Sequence, residues 1–364
     1  MTQLVAENIE KLVPYVPGKP VEELERELGI KDAVKLASNE NPLGPSPKGI
    51  AMMKRYIKNL HRYPEGGCYY LAEKLSKKLN VSMDSIVFGN GSNEILELVG
   101  RTFYVAGDEI LFSQYAFIVY KLVAQSLGAK FKEVPAKKLG HDLEAFAKAI
   151  TPRTKIIYLA NPNNPTGTMY GKKEFEKFIE KVPAQTLVVL DEAYAEYVED
   201  KNYPNGLDYL KKYKNIIVAR TFSKIYGLAG LRVGYAVMDK GLADYMNRVR
   251  EPFNVNTLAQ FAALGALDDE EHVKKTKETT IKGMNYICKE FDKLGLEYEK
   301  SYGNFVLLKS PNGGVALYNA LLKEGVIVRP VGGYGLPDHV RVTIGTDKEN
   351  RRFITALKKV LKKT

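Results

Sequence analysis

The sequence predicts a two-domain α/β protein whose larger part is a mainly parallel sheet with helices on both faces. Three observations carry this. From residue 85 to about residue 238, short apolar runs rich in Val, Ile and Leu alternate with helix-length amphipathic stretches, the order that winds βα units onto a parallel sheet. Three of those runs end directly in residues that bear chemistry, at Asn161, Asp191 and Thr221 to Lys224; ligands of such sheets bind beyond the carboxyl ends of the strands. A long helical stretch over 269–294 then leads to a second, shorter series of strands and helices. A chain of 364 residues, 45% hydrophobic, is long enough for two domains. Residues 37–260 are read as the large domain, 261–364 as the small one and 1–36 as an N-terminal arm.

The first strand covers 85–88 and runs through Gly89-Asn90-Gly91 into a helix over 92–105, opened by Ser92 and Asn93. Free N–H groups at a helix start suit an anion. Strand, Gly-x-Gly and helix, with Asp108 further on, also suggest a dinucleotide site, but position 94 is Glu where the third glycine belongs. The nicotinamide reading is therefore set aside. Residues 112–120 lead into a helix running to about residue 127, with Tyr115, Phe117 and Tyr120 on one buried stripe. The apolar strand over 155–160 is followed by Asn161-Pro162-Asn163-Asn164-Pro165-Thr166-Gly167. Two Asn-Pro pairs and a closing glycine keep this loop out of helix, so that the Asn164 amide is held over a fixed point.

Residues 186–190 form a β-branched run of buried-strand length, which ends in Asp191-Glu192-Ala193-Tyr194. A carboxylate there can also serve as a helix N-cap. The strand over 215–220 ends in Thr221-Phe222-Ser223-Lys224, with Arg232 eight positions further on. An amine held at a strand end can form a Schiff base with an aldehyde, while the Thr221 and Ser223 hydroxyls and the Arg232 fork suit a phosphate. Asp191 can keep a pyridine nitrogen protonated, and Tyr194 and Asn164 can bond a phenolic oxygen. Together these groups describe pyridoxal 5′-phosphate (PLP), which is an aldehyde and a phosphate monoester at once. In the C-terminal part, strands are expected over 304–309, 326–330 and 340–344, with helices over 315–323 and 347–363. Alternation of Val340, Val342 and Ile344 sends Arg341 to the opposite face, and Arg329 ends its own strand.

Asn161 to Gly167, Asp191 to Tyr194, Thr221 to Lys224 and Gly227-Leu228-Ala229-Gly230-Leu231-Arg232-Val233-Gly234-Tyr235 resemble the signatures of fold-type-I PLP-dependent aminotransferases. Within them, the sequence is similar to the histidinol-phosphate aminotransferase family. The likeness continues through Ala37-Ser38-Asn39-Glu40-Asn41-Pro42, Arg62-Tyr63-Pro64-Glu65, Asn304-Phe305-Val306, Gly325 to Pro330 and Val340 to Thr346, in the family's order and nearly end to end. It implies that Lys224 holds the cofactor and shuttles the proton, and that Asp191, Tyr194 and Asn164 hold the ring. Thr221, Ser223, Arg232 and the segment Gly91-Ser92-Asn93 would take the phosphate, and Tyr115 would stack on the ring. At Tyr115 the chain departs from the commonest pattern, with Ser113 and Gln114 where prolines and a threonine are usual. Tyr63 would reach a partner subunit's cofactor in a homodimer, and the N-terminal arm would pack with the small domain. Tyr15, Asn39, Arg329 and Arg341 would bind substrate, the two arginines accepting the phosphate of histidinol phosphate in one half-reaction and the carboxylate of glutamate in the other. The implied reaction is a ping-pong transamination between histidinol phosphate and 2-oxoglutarate. An aromatic amino acid aminotransferase, a threonine-phosphate decarboxylase and the effector domain of a PLP-type transcription regulator stay open, the last against motifs that already begin at Ala37.

The formal charge of +11 raises nucleic acid as a partner, but the lysines lie in amphipathic stretches such as 170–182 and 347–363, the signature of solvated helix faces. No nucleic acid partner is expected. Apolar runs are far too short for a membrane span, and the N-terminus has no signal-peptide pattern. Cys68 and Cys288 make no disulfide framework, and the four scattered histidines make no metal cluster. The cytoplasm is the expected compartment.

Overall fold

The structure is a computed structural model that describes residues 4–14 and 17–362. Among the described residues the strands are β1 (Val34–Lys35), β2 (Ile86–Gly89), β3 (Glu109–Ser113), β4 (Lys130–Val134), β5 (Thr154–Ala160), β6 (Leu187–Asp191), β7 (Ile216–Thr221), β8 (Gly234–Met238), β9 (Tyr298–Glu299), β10 (Phe305–Lys309), β11 (Val326–Ile327), β12 (Arg329–Pro330) and β13 (His339–Thr343). The large sheet has the order β2-β8-β7-β6-β5-β3-β4. Pairs from β4 to β7 are parallel, and β8 runs antiparallel to both its neighbours.

The central strands β5 and β6 read as nearly continuous apolar runs because both faces of the sheet are covered there, whereas the edge strand β4 carries Lys130, Lys132 and Glu133 exposed. Along β5, Ile156, Tyr158 and Ala160 join one apolar cluster and Ile157 and Leu159 the other; Val189 and Val188 of β6 divide in the same way. The helices Ser92–Phe103 and Ile118–Ser126 cover the first face, and Leu143–Ala149 and Lys172–Ile179 the second. The helix Ile118–Ser126 begins later than the sequence predicts. Tyr115 has φ of +59°, a left-handed conformation that a helix does not accept. It therefore stands before the helix, and the expected stripe of Tyr115, Phe117 and Tyr120 does not form.

The small unit carries the sheet β12-β13-β10-β9, antiparallel throughout, and the parallel pair β1-β11. The expected division at residue 260 falls inside the helix Thr257–Ala266, whose Ala259, Ala262, Ala263 and Ala266 pack with Leu71, Leu75 and Phe222 of the large unit. The next helix, Glu270–Lys293, sends Met284, Ile287 and Phe291 into the small unit's cluster. Between the two, Asp269 caps the second helix through His272 N–H and accepts from the Ser46 hydroxyl at 2.6 Å. The N-terminal arm divides. Leu24 packs with Ile327, as does the adjoining Ala37, beside the pairing of β1 with β11. The short helix Glu7–Glu10 lies instead on the large unit, where Asn8 donates to the Gln125 and Ser126 carbonyls at 3.0 and 3.1 Å.

Candidate active site

The carboxyl ends of β5, β6 and β7, the start of the helix Ser92–Phe103 and strand β13 converge on a cavity of about 250 Å³. Ser92, Asn93, Asn164, Asp191, Tyr194, Thr221, Ser223, Lys224, Arg232, Arg341 and Asn39 all line it. Residues spread from position 39 to 341 thus meet at one place, because parallel strands end on the same edge of the sheet.

Lys224 donates to the Ser38 carbonyl at 3.2 Å, and its ammonium lies 5.8 Å from the centre of the Tyr194 ring. Burial, together with the charges of Arg341 and Arg232, pushes its pKa down to about 8. A fraction of this amine is therefore neutral near pH 7, which a nucleophile or base requires. Asp191 ends β6 and is 5% exposed. Burial pushes its pKa up to about 6 against the hydrogen bond donated by Tyr120 at 2.8 Å. That bond reaches Oδ2; Oδ1 is buried without a partner.

The loop after β5 is clamped by two of its asparagines so that the third can serve the cavity. Asn161 accepts from Tyr170 N–H at 3.2 Å, and the Asn163 amide donates to Thr166 Oγ1 and the Tyr115 carbonyl at 2.9 and 3.1 Å. Asn164 accepts from Arg341 Nη1 through its Oδ1, which leaves its amide protons as donors. Arg341 also donates from Nη2 to the Ala37 carbonyl at 2.6 Å and lies 5.5 Å from the Phe305 ring, on the side of β13 opposite Val340 and Val342 of the core. Its Nε is buried and unpartnered. Asn39, expected on the substrate, is engaged otherwise: it donates to the Tyr194 hydroxyl at 2.8 Å and accepts from Thr343 Oγ1 at 3.0 Å. Tyr194 keeps its own proton to donate, since burial pushes its pKa up to about 12.

At the other end, Thr221, Ser223 and Arg232 face the start of the helix Ser92–Phe103. Arg232 Nη1 donates to Ser223 Oγ at 3.4 Å. Gly91, the N-cap, has φ of +78°, and a Cβ there would collide with the Arg232 guanidinium. The cap supplies no side-chain acceptor to the first helical N–H groups. Hydroxyls, a guanidinium and a helix start together make an anion cradle.

Among the described residues, Tyr115, Tyr63 and Arg329 do not line the cavity, and Gly91 adjoins it as the cap before Ser92. Tyr115 packs against the cluster of Leu307, Val331 and Leu336, whereas Phe117, two positions on, lines the cavity together with Tyr194 and Tyr334. The left-handed turn at Tyr115 is what separates them. Tyr63 is 82% exposed and stacks on Phe253 at 4.9 Å. Arg329 lies on β12, directly opposite Arg341 in register. Tyr15 lies outside the described residues. Sequence reasoning missed Phe117 as a cavity wall, Tyr120 as the partner of Asp191, and the carbonyls of Ala37 and Ser38 that hold Arg341 and Lys224. Nothing in spacing marks a carbonyl as an acceptor, and Phe117 and Tyr120 look like core residues by composition.

Each polar part of PLP has a matching group here. The unpartnered Asp191 Oδ1 suits a protonated ring nitrogen, Tyr194 and the Asn164 amide suit the phenolic oxygen, Lys224 the aldehyde and the cradle the phosphate. A family model described as aminotransferase class I and II matches residues 31–357. Fold, lysine and cradle together define a PLP-dependent aminotransferase.

Among curated proteins, histidinol-phosphate aminotransferase 2 of Hydrogenovibrio crunogenus is 52% identical over 98% of this chain and 96% of its own. Histidinol-phosphate aminotransferase 1 of Nitrosococcus oceani is 50% identical over 99% of this chain and 97% of its own. The crystal structure of histidinol-phosphate aminotransferase from Sinorhizobium meliloti in complex with pyridoxal-5′-phosphate superposes with a TM-score of 0.91 at 27% identity, covering 100% of this chain and 99% of that one. The chain belongs to the histidinol-phosphate aminotransferase family.

Proposed function

We propose that the protein is a histidinol-phosphate aminotransferase that passes an amino group between histidinol phosphate and 2-oxoglutarate. Beside the family membership, one observation carries the choice of a phosphorylated substrate. Arg329 and Arg341 stand directly opposite on antiparallel strands, so their side chains leave the same face. Two guanidinium forks on one face can share a dianion.

When bound, PLP supplies the aldehyde that holds the substrate's amino group and the ring that draws electrons from the carbon bearing it. Lys224 takes the proton from that carbon and returns it on the way to product. Asp191 holds a proton at the ring nitrogen. Tyr194, positioned by Asn39, and Asn164, positioned by Arg341, donate to the phenolic oxygen. Thr221, Ser223, Arg232, Ser92, Asn93 and the backbone at Gly91 bind the phosphate, and Phe117 takes the stacking role expected of Tyr115. Arg341 binds the glutamate carboxylate and, with Arg329, the phosphate of histidinol phosphate.

Purified protein should turn over histidinol phosphate with 2-oxoglutarate faster than phenylalanine, and release no carbon dioxide from threonine phosphate. Arg329→Ala should lower kcat/KM for histidinol phosphate by about one to two decades, the value of a charge-assisted hydrogen bond. Glutamate should lose clearly less, because Arg341 still holds its single carboxylate; Arg341→Ala should damage both half-reactions. Equal losses for both substrates in Arg329→Ala would favour a general aromatic aminotransferase.

The working unit proposed is a homodimer with Tyr63 contributed in trans. The exposed Tyr63 ring, away from its own chain's cavity, and the exposed Leu60, Tyr69 and Tyr70 on the same segment support this reading. Mixing Tyr63→Phe and Lys224→Ala subunits should give hybrids with one doubly damaged site and one intact site, and activity above either parent. Absence of recovery despite demonstrated subunit exchange rejects the trans assignment. The cytoplasm is the compartment proposed; both cysteines are free thiols, as a reducing compartment keeps them.

A further inference from the structure

Tyr120 is fully buried, and its hydroxyl donates to Asp191 Oδ2 at 2.8 Å. Its ring is fixed from two sides. It stacks on Tyr158 with centroids 4.9 Å apart and planes within 3°, and the edge contact with Phe117 is at 5.9 Å and 87°. Tyr158 is itself anchored by its hydroxyl on the Leu96 carbonyl at 2.9 Å. A rigid aromatic stack thus aims one proton at one oxygen of the carboxylate. Burial and the neighbouring Asp191 charge push the Tyr120 pKa well above the ordinary tyrosine range, so this hydroxyl donates at any working pH.

The other oxygen, Oδ1, belongs to a residue that lines the cavity and has no partner. A buried carboxylate with no donor at all would take up a proton rather than stay charged. Burial still lifts the Asp191 pKa to about 6, with the Tyr120 bond, the Ala193 N–H and the Lys224 charge favouring ionisation, and the Tyr120 bond fixes which oxygen is held.

We propose that Tyr120 is a positioning residue: by holding Asp191 Oδ2 it favours the ionised carboxylate and presents Oδ1 to the ring nitrogen of the cofactor. The proposal rests on the assignment of that nitrogen to Asp191 made above. It distinguishes Tyr120 from the aliphatic side chains of the cluster around it, such as Ile95, Val99 and Ile156, which act by packing.

The test compares binding of two ligands to cofactor-free protein, followed by absorbance: PLP, and its analogue with CH in place of the ring nitrogen. Wild type should prefer PLP. Tyr120→Phe keeps the ring and its stack and removes only the hydroxyl. It should reduce that preference about tenfold, the low end for a hydrogen bond to a charged group, by weakening PLP and leaving the analogue unchanged. In an Asp191→Asn background the same substitution should have no further effect on the ratio. Equal weakening of both ligands would mean that the hydroxyl is structural and would overturn the proposal. A wild type that did not discriminate between the ligands would overturn the Asp191 assignment itself. Should Tyr120→Phe alone fail to fold while Tyr120→Phe/Asp191→Asn folds, the same coupling is read as stability and supports the proposal. Failure of both to fold rejects it.

Discussion

Lys224→Ala should abolish transamination while leaving the fold intact. The amine is the group at the junction of the cavity that can both hold an aldehyde and move a proton, and general acid–base catalysis alone contributes about two to four decades. Its protein contacts are few: the Ser38 carbonyl at 3.2 Å and the face of Tyr194. The charge it carries faces Arg341 and Arg232, and burial disfavours it further. The cofactor-free variant should therefore be no less stable than wild type near neutral pH. With a pKa of about 8 folded against an ordinary 10.5, the ammonium is charged in both states below pH 8, and there it costs the folded protein stability. That cost fades as pH rises from 8 to 10.5, where the folded amine is already neutral. The stability difference between Lys224→Ala and wild type, measured without cofactor by thermal unfolding, should shift in favour of wild type over this range. Near-normal turnover of the variant without added amine would remove Lys224 from its role.

Asp191→Asn should lower kcat by about two to four decades with little change in folding. Removing one buried partner of a charged pair costs about 3–5 kcal/mol, and each ~1.4 kcal/mol is a decade in rate. The amide oxygen can still accept from Tyr120, which preserves the local packing. The group turned to the cavity is then an N–H donor where the ring nitrogen needs an acceptor. Steady-state rates beside thermal unfolding curves decide the matter: wild-type turnover would reduce Asp191 to a structural cap.

The residues that end strands are legible in the sequence. Asp191, Thr221 and Lys224 each follow an apolar run of strand length, and in a parallel sheet such positions share one edge. Asn164 is legible from the Asn-Pro pairs around it, although no local signal separates it from its clamps, Asn161 and Asn163. The region after β3 is less legible. Tyr115 and Phe117 are both aromatic and two positions apart, and which of them meets the cavity depends on a single left-handed residue. Tyrosine gives no signal of that conformation, unlike glycine. Tyr120 reads as core, which it is by burial, but its hydroxyl has a polar partner 71 positions away.

By itself, then, the sequence determined the fold class, the lysine-centred chemistry and the cofactor those residues suit, because alternating apolar runs and the residues that end them are local properties of the chain. Tertiary structure alone decided how the groups are divided among tasks. Asn39 positions Tyr194 and Arg341 positions Asn164, across sequence separations that no local pattern spans. Phe117 rather than Tyr115 forms the wall, and Tyr120 leaves Asp191 one oxygen to offer. Hydrogen bonding inside a cavity is set by which atoms are left without water and must find one another, and that is known only once the strands and both units have come together.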